Sequence, residues 1–323
     1  MNKPTNAKKI LFISPRFEGG IGGHAARVAE KLREHGYEIK LMKISSIPIK
    51  KMKNPSFALF STIKSMIGRE TYDIVHAFNI PSAFAMRHTK AKKKVLSVHG
   101  VYSEQVDVLH SNITANAVKL TESKVLKWAD KLTTDSMMVK KQYKEKLGID
   151  FECIFAPLDI ENFKNIPDVP KKEKQIAYIG RESYEKGIDI LKKIEYEINA
   201  NVVYCTDMEW EKAMTKLKES KILVIPSRME SIPQVIKEAF YLKIPIIATN
   251  VGGIPELITH QETGILIPPN EPDKLKKAII ELLSDNELCQ KLGKNGYDFV
   301  MKNFTWDILL PKYVKFYEDL LNE

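Results

Sequence analysis

Two glutamates, Glu230 and Glu238, bracket seven residues in the stretch ESIPQVIKE, directly after the apolar run KILVIPS at 221–227. An ionised carboxylate is an acceptor only, so it suits ligands rich in hydroxyls. One carboxylate before a helix and one in its second turn would grip such a ligand at two separated points, with first-turn amides between them for an anion. Ser231 is placed to cap that helix, and Pro233 to take an early first-turn position where its missing N–H costs nothing. The helix should reach about Leu242 and offer the amides of Gln234 and Val235. Upstream, GRESYEKG sets Arg181 and Lys186 five residues apart in the loop after a strand-like run. Two cations there suit a diphosphate, by fork geometry for arginine and as a point charge for lysine. A ligand with a diphosphate in the middle and hydroxyls at both ends fits the set, and that describes a nucleotide sugar.

The N-terminal half adds fewer groups. In SPRFEGGIGGHAA, Gly20-x-Gly22-x-x-Ala25 formally matches a dinucleotide fingerprint, but six residues separate Gly20 from the strand. The second strand ends KISS, without the carboxylate that a ribose hydroxyl needs. What remains is a glycine loop, Gly19 to Gly23, opening a helix whose amides can face an anion. His99 and Gly100 end the run KVLSVH, which puts an imidazole at a strand's carboxyl edge. His76, inside DIVHAF, reads as a satisfied core residue. With no HxxxH, HExxH or Asp-x-Asp in the chain, neither a catalytic metal nor another cofactor is expected.

Short β-branched runs alternate with helix-period segments from end to end, which predicts parallel sheets built from βαβ units. The first set is 9–14, 38–44, 73–78, 94–99, 131–136 and 152–157; the second is 175–180, 201–205, 221–226, 244–249 and 264–269. Between them IPDVPKKEKQ, with two prolines and a charge run, marks a linker. Two domains are therefore expected, 1–165 and 166–323. Each should be a Rossmann-like, doubly wound α/β sheet, the two facing a central cleft where carboxyl-end loops bind ligands.

No apolar run approaches a membrane span and no leader pattern opens the chain, so a cytoplasmic protein is expected. The three cysteines are widely spaced, without a CxxC pair, and read as buried thiols. Net charge is +9, and it is uneven: residues 1–165 hold 28 Lys and Arg against 16 Asp and Glu, whereas 166–323 hold 22 against 25. A basic first half suggests an anionic partner. Nucleic acid is not expected, because no reader motif or aromatic platform accompanies the charge.

The stretch ESIPQVIKEAFYLKIPIIATNVGGIPELI, followed by ETGILIPP, closely resembles the C-terminal signature of family 4 glycosyltransferases, which have the GT-B fold. GRESYEKG resembles the family's phosphate-binding GR…KG segment, and SVHG its strand end with an active-site histidine. The resemblance implies a retaining, metal-independent transfer of a hexosyl group from a nucleotide-diphosphate sugar. By the same resemblance, Glu230 contacts the transferred sugar and His99 lies near the reaction centre. Glu238 binds the ribose, and Arg181 and Lys186 neutralise the diphosphate, helped by Gly22 and Gly23. Ser231, Ile232, Pro233, Gln234 and Val235 complete the implied donor site. The family's last helix, here about 306–321, crosses back to the N-terminal lobe, with Trp306, Leu309, Val314 and Tyr317 as its packing face and a kink near Pro311.

Three departures stand out. After NVVYC, the segment CTDMEWEKAMTKLKES leads directly to KILVIP, so one βα unit of the family pattern is missing. Phe78 replaces a frequent second histidine, and Pro157-Leu158 replaces the usual Asn-Gly. The shortened lobe motivates an alternative, a nucleotide-sugar-binding accessory protein without transfer activity.

In this fold the N-terminal lobe holds the acceptor, so its charge bears on a glycan or lipid-linked acceptor. IPIKKMKNPSFALFSTIKSMIGR joins lysines to Phe57, Phe60, Ile63 and Ile67 at helical spacing, and RHTKAKKK adds a second basic cluster. Packing of the apolar stripe on the sheet is the favoured reading. The other is peripheral contact with the anionic cytoplasmic membrane face.

Overall fold

The computed structural model describes residues 7–17, 20–44, 53–100 and 122–323. It divides into two units, Met1–Ala156 with Leu310–Glu323, and Pro157–Leu309.

The first unit runs β1 (Lys9–Ile13), α1 (Gly20–Glu34), β2 (Glu38–Met42), α2 (Lys53–Ile67), β3 (Tyr72–Phe78), α3 (Ile80–His88), β4 (Ala91–Ser97), β5 (Lys131–Thr134), α4 (Met137–Leu147) and β6 (Glu152–Cys153). Its strands form one parallel sheet in the order β2-β1-β3-β4-β5-β6. Both faces are covered, so the strands read as near-continuous apolar runs rather than alternating ones. The run at 152–157 pairs only through Glu152 and Cys153, because the chain then leaves for the second unit.

His76 is the satisfied core residue its position suggests. Its ring nitrogens lie 2.6 Å from the Tyr317 hydroxyl and 2.6 Å from Ser97 Oγ. Burial pushes its pKa down to about 3, so the ring stays neutral. Tyr317 belongs to α11 (Trp306–Asn322), whose residues from Leu310 onward group with the first unit. Leu310, Tyr313, Phe316, Tyr317 and Leu320 are buried there at i, i+3 and i+4 spacing, while Val314, expected in the packing face, is only half-buried.

The expected core stripe on α2 is corrected. Phe57 is fully buried, but Phe60, Ile63 and Ile67 are exposed, together with Leu59 and Met66. Residues 59, 60, 63, 66 and 67 recur on one face of a helix, so the apolar stripe faces outward. The residues 47–52 of the same segment lie outside the described residues.

The second unit runs from a 3₁₀ turn (Ile160–Asn165) through β7 (Lys172–Ile179), α5 (Ile188–Ile194), β8 (Asn201–Cys205), α6 (Trp210–Glu219), β9 (Ser220–Ile225), α7 (Gln234–Tyr241), β10 (Ile246–Thr249), α8 (Ile254–Leu257), β11 (Ile265–Ile267), α9 (Pro272–Ser284) and α10 (Asn286–Asn303). Its parallel sheet has the order β11-β10-β9-β7-β8. IPDVPKKEKQ lies inside this unit, whose start is Pro157 rather than residue 166. Phe163 explains why: its ring packs 5.0 Å from Trp210 and 4.6 Å from Tyr241. β8 is an edge strand joined to β9 through the single helix α6, as the missing βα unit implies.

Strand order reverses at β7, whose neighbours are β8 on one side and β9 on the other. Ligands of open parallel sheets bind beyond the carboxyl ends of strands at such a switch point. The loops there are 180–187 after β7 and 226–233 after β9, which are the two segments singled out by their chemistry.

Candidate functional site

Glu230 and Lys186 are 44 residues apart in sequence, and the switch point joins them. Glu230 leaves the end of β9 with its side chain only 8% exposed. Its Oε1 accepts from Lys186 Nζ at 2.6 Å and from Ser227 Oγ at 2.9 Å. Lys186 ends a short 3₁₀ turn, Tyr184–Lys186, in the loop after β7. Because β7 and β9 are parallel neighbours, their following loops emerge side by side and the ion pair closes between them.

Arg181 does not join this pair. It is 73% exposed and donates to Glu185 Oε1 at 3.1 Å, so the loop's own carboxylate takes it. The arginine that organises the loop is Arg228, which sequence reasoning passed over. Its guanidinium binds both oxygens of Asp189 at 2.7 and 2.6 Å and donates to Tyr184 O at 2.8 Å. It also stacks 4.2 Å over the Tyr184 ring. The Arg228 contact holds the Asp189 carboxyl below the usual carboxylate range. Arg228 thereby ties the loop after β7 and the first turn of α5 to the end of β9.

The helix between the two glutamates starts two residues later than expected, at Gln234. Pro233 is its N-cap residue, with no side-chain cap, so Ser231 does not cap it. Ser231 Oγ makes no hydrogen bond among the described residues, while Ser231 O accepts from Gly253 N at 2.9 Å. Gln234 and Val235 head α7, where amides lack intrahelical partners. Ile232 is half-buried and packs toward Gly253. Glu238 follows in the second turn and accepts from Trp210 Nε1 at 2.9 Å, a partner the sequence did not announce. Its neighbour Lys237 is fully buried, with its ammonium 5.2 Å from the Phe304 ring centroid.

The adjacent NVGG turn braces this loop. Gly252 has φ of +55°, and a Cβ there would stand 1.8 Å from Glu230 O. Only glycine permits both the left-handed conformation and that approach.

In the first unit α1 begins at Gly20, so Gly22 and Gly23 are part of a helical first turn and not of a loop. A Cβ on Gly22 would meet Arg16 O at 1.9 Å. Gly19 lies outside the described residues. His99 stands just past the carboxyl end of β4, with Nδ1 3.1 Å from Asp135 Oδ2. That distance is within ion-pair reach, although the ring is not aligned for a hydrogen bond. Asp135 was missed, yet it follows β5, the parallel neighbour of β4, and so must emerge beside His99. The His24 ring lies edge-on to His99 at 6.1 Å, and its Nε2 is 3.2 Å from the Tyr313 hydroxyl.

Two parallel-sheet α/β units in one chain are the architecture of the GT-B fold. The comparisons agree. The family profile described as Glycosyltransferase Family 4 matches residues 18–161, and that described as Glycosyl transferases group 1 matches 192–299. N-acetyl-alpha-D-glucosaminyl L-malate synthase of Bacillus anthracis is 24% identical over 94% of this chain and 95% of its own. Sucrose-phosphate synthase of Thermosynechococcus elongatus superposes with a TM-score of 0.78 at 19% identity, over 98% of this chain and 99% of that one. The Anabaena protein Alr3699/HepE, in complex with UDP and glucose, gives 0.71 at 14%, over 97% and 100%. The chain belongs to glycosyltransferase family 4, and it is a transferase.

Proposed function

We propose that the protein moves a hexosyl group from a nucleotide-diphosphate sugar to an acceptor, with retention at the anomeric carbon and without a metal. The observation that carries this reading is the Lys186–Glu230 pair beside the head of α7, with Glu238 one turn deeper. Lys186 and the amides of Gln234 and Val235 meet the diphosphate, Glu238 accepts from the ribose, and Glu230 accepts from the sugar hydroxyls. The acceptor oxygen bonds to the anomeric carbon on the face from which the diphosphate leaves, and a departing phosphate oxygen takes the acceptor's proton. Positive charge fixed where the leaving group gains negative charge then supplies much of the rate. In the first unit His99, with Nδ1 3.1 Å from Asp135 Oδ2, is the histidine that the resemblance assigns to the transfer. The names of the relatives support a sugar donor, since HepE is described with UDP and glucose. Incubating UDP-, GDP-, ADP- and TDP-sugars with a lipid extract in EDTA should release nucleoside diphosphate from at least one, with the anomeric configuration kept in the product. A strict need for a divalent cation, or inversion, would overturn the mechanism.

The acceptor side rests on the first unit. Its outward α2 stripe stands beside a groove of about 200 Å³ whose lining includes Lys64, Arg69 and Lys90, along with Lys40 and Glu70, which pair with each other. An apolar face rimmed by lysines suits an anionic leaflet, at roughly 1 kcal/mol per basic residue near the surface. We therefore read the acceptor as lipid-linked and the contact as peripheral, on the cytoplasmic face. No helix among the described residues is long and apolar enough to cross a membrane. The second cluster contributes less, because Arg87 lies over Trp128 and Lys92 pairs with Asp73. Co-sedimentation with anionic vesicles at low salt is expected, and Ile63→Glu with Ile67→Glu should abolish it. Equal, negligible binding to anionic and neutral vesicles would sink the membrane reading.

A further inference from the structure

The shortened connection between β8 and β9 delivers a residue to the donor site. Trp210 opens α6, and its indole N–H donates to Glu238 Oε1 at 2.9 Å. The ring is held from behind by Phe163, edge-on at 5.0 Å, and Phe163 leans in turn on Tyr241 at 4.6 Å. Tyr241 lies three residues past Glu238 on α7, so both ends of the contact are anchored to the same helix. An indole can only donate, whereas a carboxylate offers about four acceptor sites on two oxygens. The bond from Trp210 therefore helps fix the orientation of the carboxylate through Oε1.

We propose that Trp210 is the positioning residue of the ribose subsite, holding Glu238 so that the enzyme selects ribonucleotide donors. The inference rests on the donor reading given above and deepens it. An acceptor fixed in advance discriminates better than a mobile one, because ordering it is not charged to each binding event.

The test titrates UDP, GDP, ADP and CDP, the 2′,3′-dideoxy counterpart of whichever binds, and TDP into wild type, Trp210→Phe, Glu238→Gln and the double variant. Phenylalanine keeps an aromatic ring beside Phe163 but removes the N–H together with part of the indole, so the dideoxy ligand, which makes no bond to Glu238, is the control for the lost packing. Wild type should prefer the ribonucleotide, and Trp210→Phe should cut that preference about 3- to 10-fold without changing affinity for the dideoxy form. Adding Trp210→Phe to Glu238→Gln should then change nothing further. Full preference in Trp210→Phe, equal losses for both ligands, or additive losses in the double variant would overturn the inference while leaving the donor reading intact. Binding of TDP and none of the four would overturn the inference alone, and failure of wild type to bind any of the four or TDP would remove the donor reading and this inference with it.

Discussion

Glu230→Gln should lower turnover about 10²-fold while donor affinity changes little, because a misplaced sugar loses rate more than it loses binding. Glu230 is held from two directions, by Lys186 Nζ and Ser227 Oγ, so its carboxylate presents a fixed edge. In the proposed site the diphosphate and the ribose are met by other residues, which the change leaves in place. The amide keeps one oxygen for Lys186 but turns a charged acceptor into a neutral one, and neutral hydrogen bonds are roughly half as strong. Removing one partner of a buried pair outright costs about 3–5 kcal/mol, so the thermal midpoint is the control for fold loss. The retained oxygen predicts a smaller shift than that. Steady-state kinetics on donor release then decide: an unchanged kcat with a raised KM would place Glu230 in uniform binding and not at the sugar.

Gly252→Ala should be the most damaging single-methyl change in the second unit. The residue sits at φ +55°, and the added Cβ would lie 1.8 Å from Glu230 O. Left-handed backbone strain and overpacking each cost about 1–3 kcal/mol, so roughly 2–6 kcal/mol is expected in all. Gly148 is the matched control: it has φ +66° with nothing within 4 Å of its would-be Cβ, so Gly148→Ala carries the backbone strain alone. Thermal denaturation of the two variants should differ clearly, and only Gly252→Ala should also lose donor turnover, because its methyl displaces the segment that carries Glu230. Equal midpoints and equal activities would show that the loop yields freely.

The strands of both units were legible because parallel strands covered on both faces leave dense apolar runs, such as KILVIP at β9. Glu230, Lys186 and Glu238 stood out for a different reason, the chemistry of their side chains in segments that follow strands, and the fold does bring Lys186 and Glu230 together. What could not be read was pairing across the sheet. Asp135 beside His99, Arg228 on Asp189 and Trp210 on Glu238 all depend on which strand or helix is whose neighbour, and strand order is not written locally. The pair of Arg181 with Glu185 was not anticipated, because two loop cations were weighed against a ligand and not against the carboxylate four residues away. The α2 stripe was misjudged because helical periodicity shows that a face is apolar without showing which way it turns.

Calorimetric titration of UDP-, GDP-, ADP- and TDP-sugars into wild type and Glu238→Gln, in EDTA, tests most directly whether this edge of the second unit holds a nucleotide sugar. At least one donor should bind wild type, and Glu238→Gln should weaken it about 10-fold or more, the worth of a hydrogen bond to a charged group. Binding by none of them, or undiminished affinity in the variant, would contradict the account.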